Sequence, residues 1–416
     1  MGLPRARLAR RFTRQRVWPF VFPRLSWHGG EMRPRLRRVT LLAPLAGLLL
    51  VTLLVVPDSL RGLSFVARAA DMRGGLVERL ARWDTGPVST EDLQVPSRHG
   101  PLRARLFHPE QPRGRTVIVT TGVHGDGIDE PRLMALARNL AAGGLTVLTP
   151  ELPDLLHYRI TPRQPDMLED VALWASSRPE LAPDGRVGLL GISFSGGLSV
   201  VAAGRSSLQD KVAFTLSLGG HGDLSRVLAF LCTGVQSDGR SRRPHDYGVA
   251  ILLLNVADQV VPPEQVEPLR AGILTFLRAS HFAMHDARRA QETFAEARRM
   301  QSALPEPSAT FLGYVNDRDV AALGPRLLPY ASAFAADPSL SPERSAAPRS
   351  PVFLLHGTDD NVIPAIESEL LARWLEPQSH VRLLLTPLIS HAEVDRKAEA
   401  ADVWRLVRFW AVPLDT

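Results

Sequence analysis

The stretch Arg186-Val-Gly-Leu-Leu-Gly191-Ile-Ser193-Phe-Ser195-Gly196-Gly197 joins an apolar run to a cluster of small residues. Such a run, followed at once by glycines, predicts a buried strand that turns sharply into a helix. Ser193 lies at the turn, and its neighbours two positions away are small enough to permit a strained backbone there. The usual form of such a turn is GxSxG, in which Ser195 here replaces the second glycine by another small residue. The segment therefore predicts a nucleophile elbow that carries Ser193.

Two later segments supply an acid and a base in the order that such a serine needs. Residues 351–364 predict a buried strand that ends in a turn, where Asp360 is the candidate acid. Residues 381–391 predict another apolar strand, after which His391 is the candidate base. Serine, acid and histidine thus follow one another along the chain, each just past a predicted strand.

This ordered set resembles the α/β-hydrolase superfamily of serine hydrolases, over roughly residues 92–223 and from residue 351 to the C-terminus. The resemblance implies a catalytic triad. His391 would take the proton of the Ser193 hydroxyl during attack and return it to the leaving group. Asp360 would fix the imidazole tautomer and stabilise the imidazolium.

The resemblance also implies two backbone donors for the oxyanion of the tetrahedral intermediate. One is the amide of Phe194, the residue after the nucleophile. The other comes from the loop after the third strand, where the match falls on Val123. The superfamily often has His-Gly where this chain has Thr121-Gly122, so this loop departs from the common pattern.

Two other aspartates compete with Asp360 for the acid role. Asp258 stands in the same Asp-x-Val-aliphatic-Pro form, although residues 247–261 also predict a continuous apolar helix. Asp223 follows the strand after the elbow helix, a position at which some hydrolases carry their acid. The sequence favours Asp360 because it follows a His-Gly turn at a strand end, and it leaves both alternatives open.

Four further histidines are candidates for the site. His281 and His285 stand four apart on a predicted helix, the spacing of a zinc-binding pair, but no glutamate lies between them to serve a zinc protease. They are therefore predicted to lie on a half-exposed helix face, and no metal site is predicted. His124 and His221 fall in loops near the expected site, either lining the pocket or merely solvated.

Alternating strand and helix patterns predict an α/β protein whose mostly parallel sheet is covered by helices on both faces. Residues 224–350 interrupt this alternation with helical patterns, the longest from residue 263 to 300. They predict a helical cap inserted between strands 6 and 7. The predicted domains are a basic cytoplasmic tail (1–38), a transmembrane signal anchor (39–57), a helical stalk or linker (58–90), a hydrolase core (91–223 and 351–416) and the cap (224–350).

The net charge of +6 belongs to the N-terminal tail, since residues 1–38 hold eleven arginines and a single acid, Glu31. The rest of the chain is net acidic, so no nucleic-acid partner is predicted for the folded part. The only cysteine, Cys232, excludes an intrachain disulfide, and its place in an apolar run predicts a buried side chain. Oligomeric state is not predicted.

Residues 39–57 carry no charge and come close to the roughly 20 residues that span a bilayer. Four arginines at positions 33–38 precede them, so the positive-inside rule predicts a single-pass anchor with a cytoplasmic N-terminus and an extracytoplasmic catalytic domain. A cleaved signal peptide with a small-residue site at Ala67-Arg68-Ala69, giving a secreted protein, is the alternative. A start at Met32 instead of Met1 would leave the topology unchanged.

The predicted function is that of a membrane-anchored serine hydrolase acting on a small-molecule or lipid-like carboxylic ester. The reaction would proceed through an acyl-enzyme and without metal or organic cofactor. An extracytoplasmic peptidase or amidase on the same fold stays open, as does a catalytically silent, membrane-tethered binding module. Apolar cap residues that could line a substrate pocket, or bind the cap to itself and the core, are Phe230, Leu231, Phe276, Leu277, Phe282 and Phe311.

Overall fold

The computed structural model describes residues 59–71, 75–113, 115–389 and 399–414. Within these residues one sheet of eight strands has the order β1-β2-β4-β3-β5-β6-β7-β8. The pairs β1–β2 and β2–β4 are antiparallel, and all later neighbours are parallel. The strands are β1 (Val88–Val95), β2 (Leu102–Pro109), β3 (Thr116–Thr120), β4 (Thr146–Pro150), β5 (Val187–Ile192), β6 (Val212–Leu218), β7 (Val352–Gly357) and β8 (Val381–Thr386).

From β3 onward, helices alternate with the strands and fill the connections between them. Residues 59–69 are helical and are labelled α1. The others are α2 (Gly75–Arg82), α3 (Pro131–Ala142), α4 (Pro153–Leu156), α5 (Arg163–Ser176), α6 (Phe194–Ala203), α7 (Leu224–Thr233), α8 (Asp246–Val260), α9 (Pro263–Phe282), α10 (Ala287–Ala303), α11 (Ser308–Asn316), α12 (Val320–Phe334), α13 (Ile366–Leu375) and α14 (Ala400–Ala411).

Both faces of the sheet are covered, which explains the continuous apolar runs of its central strands. Every residue of β3 and of β4 is buried. Alternate residues of β3 serve different layers: Val117 and Val119 pack with α1, α3 and α14, whereas Ile118 packs with α5 and α6. The predicted class, a mostly parallel sheet with helices on both faces, is confirmed.

Helices α7 to α12 lie between β6 and β7, where the helical insertion was predicted. Cys232 on α7 is buried as predicted, and burial raises the pKa of its thiol to about 12. The predicted long helix over residues 263–300 is wrong in one respect, because the chain breaks it into α9 and α10. Asp286 begins the second of these by accepting a hydrogen bond of 3.0 Å from the Arg289 N–H.

Part of the predicted stalk packs on the core. Phe65 on α1 is 2% exposed, and its ring centroid lies 4.5 Å from that of Trp410 on α14. The predicted tail and anchor, residues 1–57, lie outside the described residues. Among the residues that the structure does describe, no helix combines the length and the apolar character needed to cross a bilayer.

Candidate active site

Ser193 occupies the turn between β5 and α6 in a backbone conformation that residues other than glycine rarely adopt. Its φ is 55° and its ψ is −129°. Strain of this kind costs on the order of 1–3 kcal/mol and persists only where surrounding contacts impose it. One such contact is the hydrogen bond of 2.7 Å that the Ser193 N–H donates to the Leu218 carbonyl at the end of β6. The turn therefore has the geometry of a nucleophile elbow.

Close contacts at the elbow require small residues two positions before and after Ser193. A Cβ on Gly191 would collide with the backbone carbonyl of Ser195, so no larger residue fits there. Ser195 is fully buried, and its hydroxyl donates a hydrogen bond of 2.5 Å to the Thr121 carbonyl. The serine that replaces the usual glycine thus ties the elbow to the loop after β3. The sequence indicated only that its side chain is small.

The two predicted oxyanion donors belong to segments that flank Ser193. Phe194 is the first residue of α6, so its N–H has no acceptor within its own helix. In the loop after β3, a Cβ on Gly122 would stand 3.0 Å from the Ser193 Cβ. Val123 follows directly. The loop therefore runs against the nucleophile, although the donor roles themselves stay predictions.

The described chain combines several features of one known fold. They are the strand order, the two antiparallel pairs at the β1 edge, the strained serine between β5 and α6, and the helical insertion after β6. The chain has the α/β-hydrolase fold. An elbow serine beside a backbone loop is the arrangement that serine hydrolases of this fold use for nucleophilic attack.

Neither a protein-family model nor a curated protein matches the chain. Solved structures do match. An esterase from Pyrobaculum calidifontis is 16% identical with a TM-score of 0.42, over 82% of this chain and 88% of the esterase. Acylaminoacyl peptidase from Pyrococcus horikoshii is 13% identical with a TM-score of 0.40, over 80% of this chain but 42% of the peptidase. A putative dienelactone hydrolase from Klebsiella pneumoniae is 14% identical with a TM-score of 0.38, over 79% of this chain and 99% of the hydrolase.

Asp360 lies in the turn after β7 and is 3% exposed. Its Oδ1 accepts hydrogen bonds from the N–H groups of Val362 (2.8 Å) and Ile363 (3.0 Å). Its Oδ2 stands 3.4 Å from Nε2 of the fully buried His356. Two backbone N–H groups therefore fix the orientation of this carboxylate, since the His356 Nε2 lies closer, at 2.8 Å, to the Ile363 carbonyl.

His391 lies outside the described residues. The described chain leads toward it along β8, in which Thr386 pairs with Gly357 of β7. The Thr386 carbonyl then accepts a hydrogen bond of 3.1 Å from the Thr358 N–H. The chain before His391 and the turn that carries Asp360 thus leave the sheet side by side.

The two competing aspartates have other partners. Asp258 lies on α8, exposed, with its Oδ1 3.2 Å from a guanidinium nitrogen of Arg270. Asp223 caps α7, where its Oδ1 accepts the Arg226 N–H at 3.0 Å. Its own N–H donates to the buried carboxylate of Glu367. These contacts favour Asp360 as the acid, which stays a prediction.

Two tyrosines that sequence reasoning missed hold the loop after β3. The hydroxyl of Tyr247, on cap helix α8, donates a hydrogen bond of 2.6 Å to the Val123 carbonyl. The hydroxyl of Tyr158 contacts the Gly125 backbone and Tyr247. Burial raises the pKa of Tyr247 well above its usual value of 10, so the hydroxyl keeps its proton and stays a donor. The cap thereby positions the predicted oxyanion loop.

Both loop histidines lie close to the site, and neither is simply solvated. His221 is fully buried and stacks on Phe194 at a centroid distance of 4.9 Å. Burial lowers its pKa to about 4. His124 faces His281 of α9, with their ring centroids 4.6 Å apart. Burial, and after it the charge of His281, lowers the pKa of His124 to about 4.

A cavity of about 520 Å³ opens beside this loop, between it and helices α9 and α10. Of the cap residues predicted as pocket candidates, Phe282 lines it. Phe230, Leu231, Phe276 and Leu277 instead belong to the buried core that joins the cap to the sheet. Lining residues include Gly125, Asp126, Tyr158, Arg278, Phe282 and Met300.

Proposed function

We propose that the protein is a serine hydrolase that cleaves carboxylic esters through an acyl-enzyme, with Ser193 as nucleophile, Asp360 as acid and His391 as base. The observation that carries the proposal is the strained, half-buried Ser193 at the elbow, with Gly122 packed against it. A strained serine persists only where its surroundings hold it, and an elbow projects its hydroxyl above the sheet edge.

In the proposed reaction, His391 takes the Ser193 proton as Oγ attacks the ester carbonyl carbon. The oxyanion accepts hydrogen bonds from the Phe194 and Val123 amides. The C–O bond to the alcohol then breaks, and the alcohol leaves with the proton from His391. Water then attacks the acyl-enzyme by the same steps, which releases the carboxylic acid product and restores Ser193.

The cavity beside the loop supports a substrate with an apolar portion. It begins at Gly125 and Asp126, just beyond Val123, and is bounded by Phe282 and Met300. Ligand sites usually combine such apolar walls with a few polar groups, here including Arg278. We propose that one apolar chain of a small-molecule or lipid-like ester occupies this cavity.

A substrate panel tests the reaction class. p-Nitrophenyl esters of increasing acyl length and peptide p-nitroanilides are compared on the full-length protein. We expect ester hydrolysis with kcat/KM at least about tenfold above that for any anilide, because alcohols leave more readily than amines. Preference for the anilides would favour the peptidase alternative. No turnover of any substrate would favour the silent binding module.

We further propose that residues 39–57 anchor the enzyme with its catalytic domain outside the cytoplasm. The uncharged run and the arginines before it support this topology. The same ester assay on membrane and soluble cell fractions tests it. Activity and full-length protein should appear together in the membrane fraction, whereas a soluble form beginning near residue 70 would contradict the anchor.

Tyr247→Phe removes the hydroxyl that ties the cap to the Val123 carbonyl. We expect kcat to fall by about tenfold with little change in KM, because a loosened oxyanion loop stabilises the transition state less while leaving substrate binding intact. Steady-state kinetics well below the Tm of the variant measures both constants.

Tyr314→Phe, in α11 of the same insertion, is the matched control and should keep wild-type kcat. If Tyr247→Phe lowers the Tm but leaves kcat unchanged, Tyr247 only stabilises the cap. An equal loss of kcat in both variants would also contradict its positioning role.

A further inference from the structure

Three potential metal ligands from two parts of the chain meet at the edge of the cavity. His124 and Asp126 lie in the loop after β3, and His281 lies in the last turn of α9. One ligand atom from each lies within 4.8 Å of the others. The His281 Nε2 is 2.8 Å from the Asp126 Oδ2.

The loop geometry keeps these groups together. The Asp126 N–H donates a hydrogen bond of 3.2 Å to Nδ1 of His124, so the loop holds that ring beside its own carboxylate. The side chain of His281 is 11% exposed, and its Nδ1 is buried without a hydrogen-bond partner among the described residues. A buried imidazole with one nitrogen unsatisfied is costly. The contact of its Nε2 with Asp126 is therefore the polar interaction that holds this ring among the described residues.

The set of two imidazoles and one carboxylate matches the ligands of zinc. Zn²⁺ takes histidine nitrogens at about 2.0–2.1 Å and carboxylate oxygens at about 2.0–2.2 Å, with a water in the fourth position of an open site. Tetrahedral ligand atoms at these bond lengths lie about 3.4 Å apart, so an ion bound by this pair would require side-chain rotations that part the His281 Nε2 from the Asp126 Oδ2, now 2.8 Å away.

We propose that His124, Asp126 and His281 bind one Zn²⁺ ion, which fastens cap helix α9 to the loop that carries Val123. The site is separate from the proposed triad and takes no part in its proton transfers. Because His124 directly follows Val123, the ion would brace the predicted oxyanion loop. Zinc binding at this site does not require hydrolytic activity.

The sequence offers a competing zinc pair, His281 and His285, on α9 and just beyond it. Their ring centroids lie 4.7 Å apart, and His285 is exposed. The two arrangements share His281 and differ in the other ligands. Asp126→Asn removes the carboxylate charge in the proposed set alone, and His285→Gln removes a ligand from the competing pair alone.

Isothermal titration of ZnCl₂ into full-length, tag-free protein in detergent, freed of metal by chelation, tests the proposal. We expect saturable binding of one Zn²⁺ per chain and a Tm raised by at least about 2 °C at saturation. His281→Gln and Asp126→Asn should each weaken binding by at least about tenfold, since even changes outside the ligand set cost 10–100-fold. His285→Gln should bind as the wild type does.

Three results would contradict the proposed site. They are no saturable Zn²⁺ binding to the wild type, unchanged affinity in Asp126→Asn, and a loss of affinity in His285→Gln as large as that in His281→Gln. Co²⁺ in place of Zn²⁺ gives an independent readout, because its visible bands report nitrogen and oxygen ligands at a low coordination number. Titration of Ser193→Ala separates this site from the proposed function, since an inactive enzyme should bind Zn²⁺ normally.

Discussion

Ser193→Ala is expected to lower kcat for ester hydrolysis by about 10⁶-fold. Removing a nucleophile that acts with a base as one unit costs on this order, and the remaining rate comes from the oxyanion donors and substrate binding. KM should change little, because the missing hydroxyl acts mainly in the transition state. A fluorophosphonate probe should label the wild-type protein and leave Ser193→Ala unlabelled.

The same substitution is expected to preserve the fold. Alanine also occupies φ near 55° unfavourably, but the contacts that impose this φ are backbone contacts, such as the N–H of residue 193 to the Leu218 carbonyl. Ser177→Ala, at the exposed end of α5, is the control and should keep full activity and labelling. Equal labelling of wild type and Ser193→Ala would place the reactive group elsewhere.

The parts of the fold that were predictable from sequence are those with local signals. The buried strand that turns sharply into a helix at Ser193 was predicted, and the structure has it as Val187–Ile192 followed by Phe194–Ala203. A buried parallel strand is a continuous apolar run, and glycine or proline marks its end. Because Ser193 and Asp360 each follow such a run, their positions at strand ends were predictable as well.

The supports of the site were not predictable, because each joins residues far apart in sequence. Ser195 binds the carbonyl of Thr121, 74 positions earlier, and Tyr247 binds that of Val123, 124 positions earlier. No periodicity relates such pairs. The cluster of His124, Asp126 and His281 was missed for the same reason. The i, i+4 spacing drew attention to His285, whereas the partners of His281 come from a loop after β3.

Asp360→Asn is expected to lower kcat by about 10⁴-fold while leaving the fold intact. Asparagine keeps the shape of the side chain, and its carbonyl oxygen can still accept the N–H groups of Val362 and Ile363. What it loses is the negative charge that stabilises the imidazolium of His391 and selects its tautomer, a loss worth about 10⁴-fold in comparable triads. The effect should be on kcat, measured on the best ester of the panel.

Asp223→Asn and Asp258→Asn make the comparison decisive. Asparagine caps helices nearly as well as aspartate, so the first should retain α7 and near-normal activity. The second alters only an exposed pair with Arg270, which contributes about 0–1 kcal/mol. A large loss of kcat confined to Asp223→Asn would move the acid role to the strand beside the elbow. A loss confined to Asp360→Asn would mean that the carboxylate at the end of β7, two strands from Ser193 in the sheet, serves the base.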